Sequence, residues 1–222
     1  MLDNRGFFRE SSILLSGTPG SGKTSFTFSF IDAACRRGER CLYFGFEESA
    51  AQTIHNMKSI GLDLQQWVEN GLLQLHTSRV SMFGLETHLI TIYRVLQEFR
   101  PAVVVLDPIS TLTDVGSVRQ SKSIITRLID FLKMHQITAM FTDLMHEEKI
   151  SVATEEEISS LIDTWILLRD VEKNYERFRT LLILKSRGMA HSNKVCKFLM
   201  TDNGIRLSPL GQSIRHIDEE LR

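Results

Sequence analysis

Two rhythms of apolar residues alternate along this chain. Short runs nearly free of charge read as strands buried on both faces. They cover Ile13 to Ser16, Arg40 to Phe46, Leu72 to His76, Ala102 to Leu106 and Thr138 to Thr142. Between them the spacing turns helical. Phe26, Phe28, Phe30, Ile31 and Ala34 make a helix from Ser25 to about Cys35 apolar over much of its surface, and Gly38 ends it. Ser49 can cap a helix that ends near Gly61. Leu85, Leu89, Ile92, Leu96 and Phe99 recur on one helical face until Pro101 stops it, and Ile125, Leu128, Ile129 and Leu132 do the same within Val118 to Met134. A polar loop follows over 145–157, then a short helix over Ile158 to Asp163. Strands at Trp165 to Leu168, Arg179 to Leu184 and Val195 to Met200 come next, with turns near Lys173-Asn174 and Met189 to Asn193, before a polar tail over 211–222. Alternating strands and helices predict an α/β fold: a mostly parallel twisted sheet flanked by helices. The late hairpins add antiparallel strands at the C-terminal side. The pattern has no linker, so we expect one domain over 1–222.

Composition narrows the class. Of 222 residues, 42% are hydrophobic and 24% charged, the balance of a globular protein with a substantial core. The formal net charge of −1 gives no global field for nucleic acid, and no basic strip is interleaved with aromatics. No apolar run approaches a membrane span. Cys35, Cys41 and Cys196 lack metal-ligand spacing and are odd in number, which predicts reduced thiols in a cytoplasmic protein.

The first strand runs into Gly17-Thr18-Pro19-Gly20-Ser21-Gly22-Lys23-Thr24, and a helix follows. Strand, Gly-rich loop and helix is the setting a phosphate-binding P-loop requires. Gly20 and Gly22 let backbone N–H groups turn inward around phosphate oxygens, and the helix aims its positive N-terminus at the same anion. Lys23 brings a charge for the β- and γ-phosphates, and the Thr24 hydroxyl can ligate Mg²⁺. Asp107 ends the most apolar strand, where ligands of open α/β sheets bind, and is suited to hold Mg²⁺ directly or through water.

Three other groups carry chemistry with an alternative beside it. Glu47 and Glu48 end a strand, where one carboxylate can orient or deprotonate a nucleophile near the γ-phosphate. Equally, they read as a solvated pair at a helix start. Lys185-Ser186-Arg187-Gly188 presents two cations on one face of an extended chain. That is either a solvated strand end or a set of cations for a neighbouring subunit's phosphates. Ser159 and Ser160, after Glu155 to Glu157, read from chemistry alone as helix caps.

Taken in order, the P-loop, Phe44-Gly-Phe-Glu-Glu-Ser49, the Asp107 strand, Phe141-Thr142-Asp143, Ile158-Ser-Ser-Leu-Ile-Asp-Thr164 and Lys185-Ser-Arg-Gly188 resemble the KaiC family of RecA-like P-loop NTPases, in particular the family's second, autokinase domain. The resemblance spans nearly the whole chain. It implies a hexameric ring with ATP between subunits, a serine/threonine autokinase that also removes its own phosphates, and weak ATPase activity. On matching positions, Pro19, Gly20, Ser21, Gly22, Lys23, Thr24 and Ser25 would contact ATP. Thr24, Glu47 and Asp107 would lie at Mg²⁺. Glu47 would be the general base, with Glu48 its neighbour. Arg179, Lys185, Ser186 and Arg187 would reach the ATP of the adjacent subunit. Ser159 and Ser160 would be phosphoacceptors, with Thr154 serving the same phosphate chemistry. Ile60 stands where the family carries a Trp near the base, and Asp114 where it carries an Arg. The resemblance also implies a clock-type or signalling partner. Because the P-loop strand arrives so early, we expect a piece of a longer two-domain protein.

Overall fold

The computed structural model describes residues 6–78, 85–113, 118–144, 161–173, 175–201 and 204–209. The P-loop strand is β1 (Ser12–Gly17) and its helix α1 (Lys23–Arg36). After them come β2 (Cys41–Gly45), α2 (Ala50–Lys58), α3 (Gln65–Glu69), β3 (Leu73–Thr77), α4 (Leu85–Phe99), β4 (Val103–Asp107), α5 (Ser110–Thr113), α6 (Val118–Met134), β5 (Thr138–Leu144) and β6 (Thr164–Lys173). The chain then turns back through β7 (Glu176–Ser186), β8 (Cys196–Thr201) and β9 (Gly204–Pro209). Among the described residues the strands form one sheet in the order β3-β2-β4-β5-β1-β6-β7-β8-β9. Pairing is parallel from β3 to β6 and antiparallel from β6 to β9. This is the mostly parallel α/β sheet that the alternating pattern predicts, in the RecA-like P-loop arrangement that the resemblance implies.

Period-2 alternation divides the core between the two faces of the sheet. Val104 and Leu106 of β4 join Leu14, Phe44 and Phe141 under α4 and α6, against Ile92, Leu96, Ile125, Leu128 and Leu132. Val103 and Val105 face the other way, with Ile13, Leu15, Tyr43 and Met140, under Phe28, Ile31 and Ala34 of α1. Each fully buried Leu, Ile or Phe contributes about 1.5–3 kcal/mol, so both helical layers are fixed by their stripes. Phe26 and Phe30 pack along the flanks of α1. Phe26 rests 6.1 Å from the ring of Phe198 on β8, and Phe30 stands edge-on to Phe7 at 5.6 Å. The helix is apolar nearly all round because β8 and the N-terminal segment cover its flanks.

Several boundaries differ from the sequence expectation. The strand expected at Trp165 to Leu168 continues to Lys173, because β6 and β7 form a long hairpin with Lys173 opposite Glu176. Its outer half is polar and is tied across the strands by Arg177 and Asp170 at 2.8 Å. Residues 161–163 turn into β6 rather than forming helix. The short α3 and the edge strand β9 were not anticipated. The 145–157 loop and residues 158–160 lie outside the described residues. Among those described, no helix is long and apolar enough to cross a membrane, and all three cysteines are free thiols.

Candidate functional site

Where β1 hands the chain to α1, the backbone is shaped by two glycines. Gly20 has φ +80° and Gly22 φ +97°, in the left-handed region that favours glycine. Gly22 is also the N-cap of α1, and no side chain caps the helix there. The free N–H groups of the first turn therefore face the loop, as an anion site requires. The Ser21 hydroxyl is wholly buried and has no hydrogen-bond partner among the described residues. Lys23 is buried as well, and its ammonium donates to the carbonyls of Gly17 at 2.7 Å and Thr18 at 2.9 Å. Burial lowers its pKa, against the opposing pull of Asp107, Asp143 and Glu47. The loop thus holds a desolvated cation, an unsatisfied hydroxyl and a row of unpaired donors beside a cleft of about 430 Å³.

Asp107 closes that cleft from below. β4 delivers it buried at the carboxyl end of the sheet, level with Gly45 of β2. Three hydroxyls donate to its carboxylate: Thr24 to Oδ2 at 3.0 Å, Tyr43 to Oδ2 at 2.9 Å, and Thr142 to Oδ1. Burial, then the charge and hydrogen bond of Asp107, push the Tyr43 phenol well above its ordinary range, so it stays a donor. A hydroxyl and a carboxylate side by side are hard oxygen donors, the set Mg²⁺ takes. Neither Tyr43 nor Thr142 stood out as chemistry in the sequence, because each sits within an apolar strand and reads as core.

The two adjacent acids both line the cleft but hold different contacts. Glu48 accepts from Asn56 Nδ2 at 3.2 Å and is tied to α2, whose N-cap is Ser49. Glu47 lines the cleft with Lys23 and Asp107. Partial loss of water, then the nearby charge of Asp107, raises its carboxyl above the ordinary value, with Lys23 opposing. A carboxylate moved in that direction is a better proton acceptor near neutral pH.

The family model of the KaiC ATPase matches residues 1–212. The chain belongs to the KaiC family of ATPases. Circadian clock protein KaiC2 of Synechocystis sp. is 44% identical over 209 residues, covering 93% of this chain and 37% of that protein. KaiC3 of the same organism is 36% identical over 216 residues (96% of this chain, 42% of that protein). The circadian clock oscillator protein KaiC of Parathermosynechococcus lividus is 35% identical over 203 residues (91% and 38%). The chain thus spans roughly two fifths of the length of these relatives.

Among the described residues, the other positions that the KaiC resemblance singles out divide between the foot of the sheet and the cleft itself. Ser186 pairs with Thr164, and Thr164 with Ile13 at the foot of β1, whereas Gly17 at its head pairs with Leu168. At about 3.3 Å per residue, the Lys185-Ser186-Arg187 end of β7 lies about 13 Å down the sheet from its own P-loop. There the Ser186 hydroxyl is 3.1 Å from that of Thr164, and Arg187 N donates to Asp163 O at 2.8 Å. Burial, then Arg187, lowers the Lys185 pKa. Arg179, higher on β7, lies beside its own loop and donates from Nε to the Gly20 carbonyl at 3.2 Å. Ile60 lines the cleft, as does Met200 of β8. Ser159, Ser160 and Thr154 lie outside the described residues.

Proposed function

We propose that this KaiC-family domain binds ATP with Mg²⁺ in the P-loop cleft and transfers the γ-phosphoryl group to Ser159 or Ser160 of a neighbouring copy, with slow hydrolysis as background. The observation that carries the reading is the convergence of Lys23, Thr24, Asp107 and Glu47 on one cleft at the head of the sheet. The loop fits the triphosphate: Gly20 and Gly22 are turned left-handed, and among the described residues no side chain caps α1 and none partners the buried Ser21 hydroxyl. Thr24 and Asp107 fit Mg²⁺, which when bound supplies charge neutralisation on the phosphate oxygens.

The chain's own residues do the rest. Pro19, Gly20, Ser21, Gly22 and Ser25 shape the phosphate cradle, and Lys23 exchanges its two loop carbonyls for phosphate oxygens. Glu47 accepts the proton of the attacking hydroxyl. That oxygen bonds to the γ-phosphorus while the bond to the β-bridging oxygen breaks, its electron pair leaving with ADP. Lys185 and Arg187 neutralise the charge that develops at a neighbour's site, as part of a hexameric ring. What supports this is their position at the foot of the sheet, out of reach of their own loop. Arg179 lies beside its own P-loop, where it steadies the loop that faces the interface.

The test is phosphopeptide mass spectrometry after incubation with Mg-ATP under conditions where the chain assembles. Phosphate on Ser159, Ser160 or Thr154 is expected. Its absence, with ATP still consumed, leaves Glu47 activating water in a nucleotide switch and overturns the kinase reading.

A further inference from the structure

Asp107 is held by more than the P-loop threonine, and one of its partners comes from β2, the strand that leads into Glu47. Tyr43 lies on β2 with its ring beneath α1, 4.5 Å from the ring of Phe28 and buried. Its hydroxyl reaches the level of Gly45 and donates at 2.9 Å to Asp107 Oδ2, the same oxygen that accepts from Thr24. The path exists because residue 45 is glycine. A Cβ there would stand 2.7 Å from Tyr43 Cε1 and 3.4 Å from its hydroxyl. Gly45 is the β2 residue paired with Asp107 itself. Tyr43 and Gly45 are therefore a matched pair: one supplies the reach and the other the gap.

We infer that Tyr43 is a positioning residue for Mg²⁺-nucleotide binding, fixing the Asp107 carboxylate through its phenolic hydroxyl in a slot kept open by Gly45. The inference rests on the nucleotide reading above. With Oδ2 occupied by two hydroxyls and Oδ1 by Thr142, the carboxylate plane cannot turn. Thr24 can donate its proton to Asp107 and still present an oxygen lone pair towards the cleft. Without the phenol, Oδ2 keeps one donor instead of two, and the carboxylate loses part of its preorganisation. Tyr43 touches neither nucleotide nor metal; it acts through Asp107.

The experiment compares equilibrium binding of a non-hydrolysable ATP analogue in Mg²⁺ and in EDTA, by calorimetry, for the wild-type chain and Tyr43→Phe. The phenylalanine keeps the ring on Phe28 and removes only the hydroxyl. The wild type gains affinity from Mg²⁺. Tyr43→Phe is expected to lose roughly five- to tenfold of that gain, with affinity in EDTA within about twofold of wild type. A purely structural role would weaken both conditions alike. Gly45→Ala is expected to reproduce the loss, and the double variant to be no worse than either single one. If Gly45→Ala does not fold, Tyr43→Phe decides alone. A full Mg²⁺ gain in Tyr43→Phe, or an equal loss in Mg²⁺ and EDTA, overturns the inference while leaving the nucleotide reading intact. A wild-type chain with no Mg²⁺ gain overturns both.

Discussion

The Lys23 ammonium donates to the carbonyl of Gly17 at 2.7 Å, so the loop's own backbone holds the lysine that the phosphates need. A buried ammonium satisfied in this way can be handed from carbonyl to anion without first being desolvated. Lys23→Ala should therefore abolish nucleotide binding, weakening it by at least roughly 100-fold, while the melting temperature moves by only a few degrees. Calorimetric titration with ATP checks the first part and thermal unfolding the second. Near-normal affinity would remove the lysine from the site.

Glu47 and Glu48 are expected to differ on substitution. Glu47→Gln should lower turnover by roughly 10²–10⁴-fold with nucleotide affinity nearly kept. Glu48→Gln, which keeps an oxygen to accept from Asn56 Nδ2, should cost far less. Because loss of water and the proximity of Asp107 raise the Glu47 carboxyl, the base becomes available only as pH rises past a value above the ordinary glutamate range. The acid limb of turnover should lie correspondingly high and should vanish in Glu47→Gln. A steady-state pH profile reads both.

Asp163 is a stability group at the foot of the sheet. It accepts from the Ser12 backbone at 2.8 Å and the Ser12 hydroxyl at 2.8 Å, and pairs with Lys133 at 2.9 Å. Burial alone would raise its carboxyl, but the hydrogen bonds from Lys133 and Ser12 prevail and hold it below the ordinary range. A depressed carboxyl stabilises the fold above its unfolded pKa, and that contribution is lost as pH falls through the folded value. Asp163→Asn should cost about 1–3 kcal/mol at neutral pH, and the gap from wild type should close in acid. Urea unfolding at a series of pH values tests this.

Gly22→Ala should damage loop and fold together. Besides its φ of +97°, a Cβ there would meet Met200 Cε at 2.5 Å and Phe198 Cε1 at 2.8 Å. The methionine end can swing away, but Phe198 is fully buried. A loss of about 2 kcal/mol or more is expected. Adding Met200→Ala should restore only part of it, since the backbone strain stays. Denaturant midpoints for the single and double variants distinguish the two causes.

The P-loop, the Asp107 strand, the Ser49 cap and the faces of α4 and α6 could all be read from the sequence, because each rests on a local rule of spacing or capping. What escaped depends on tertiary placement. β9 carries Ile205 and Leu207 around Arg206, too weak an alternation to stand out alone, and is a strand because β8 offers it an edge. The outer half of β6 is too polar to read as strand, and its Asp170 meets Arg177 only once the hairpin forms. Tyr43 looked like core, and its ring is core; only the register that sets Gly45 beside Asp107 shows what its hydroxyl does. Arg179 carries a charge the sequence displays, but its place beside Gly20 follows from the way β7 runs back along β6.

On the proposed reading, in which Lys185 and Arg187 serve a neighbour's loop, the register that puts Ser186 opposite Thr164, and Thr164 opposite Ile13, has a consequence in mass action. A centre that draws its loop from the head of one sheet and its cations from the foot of another is a property of contacts between chains. The number of such centres then follows the population of those contacts rather than the amount of protein. Dilution alone would silence such a domain, and specific activity would climb with concentration until the chains are fully associated.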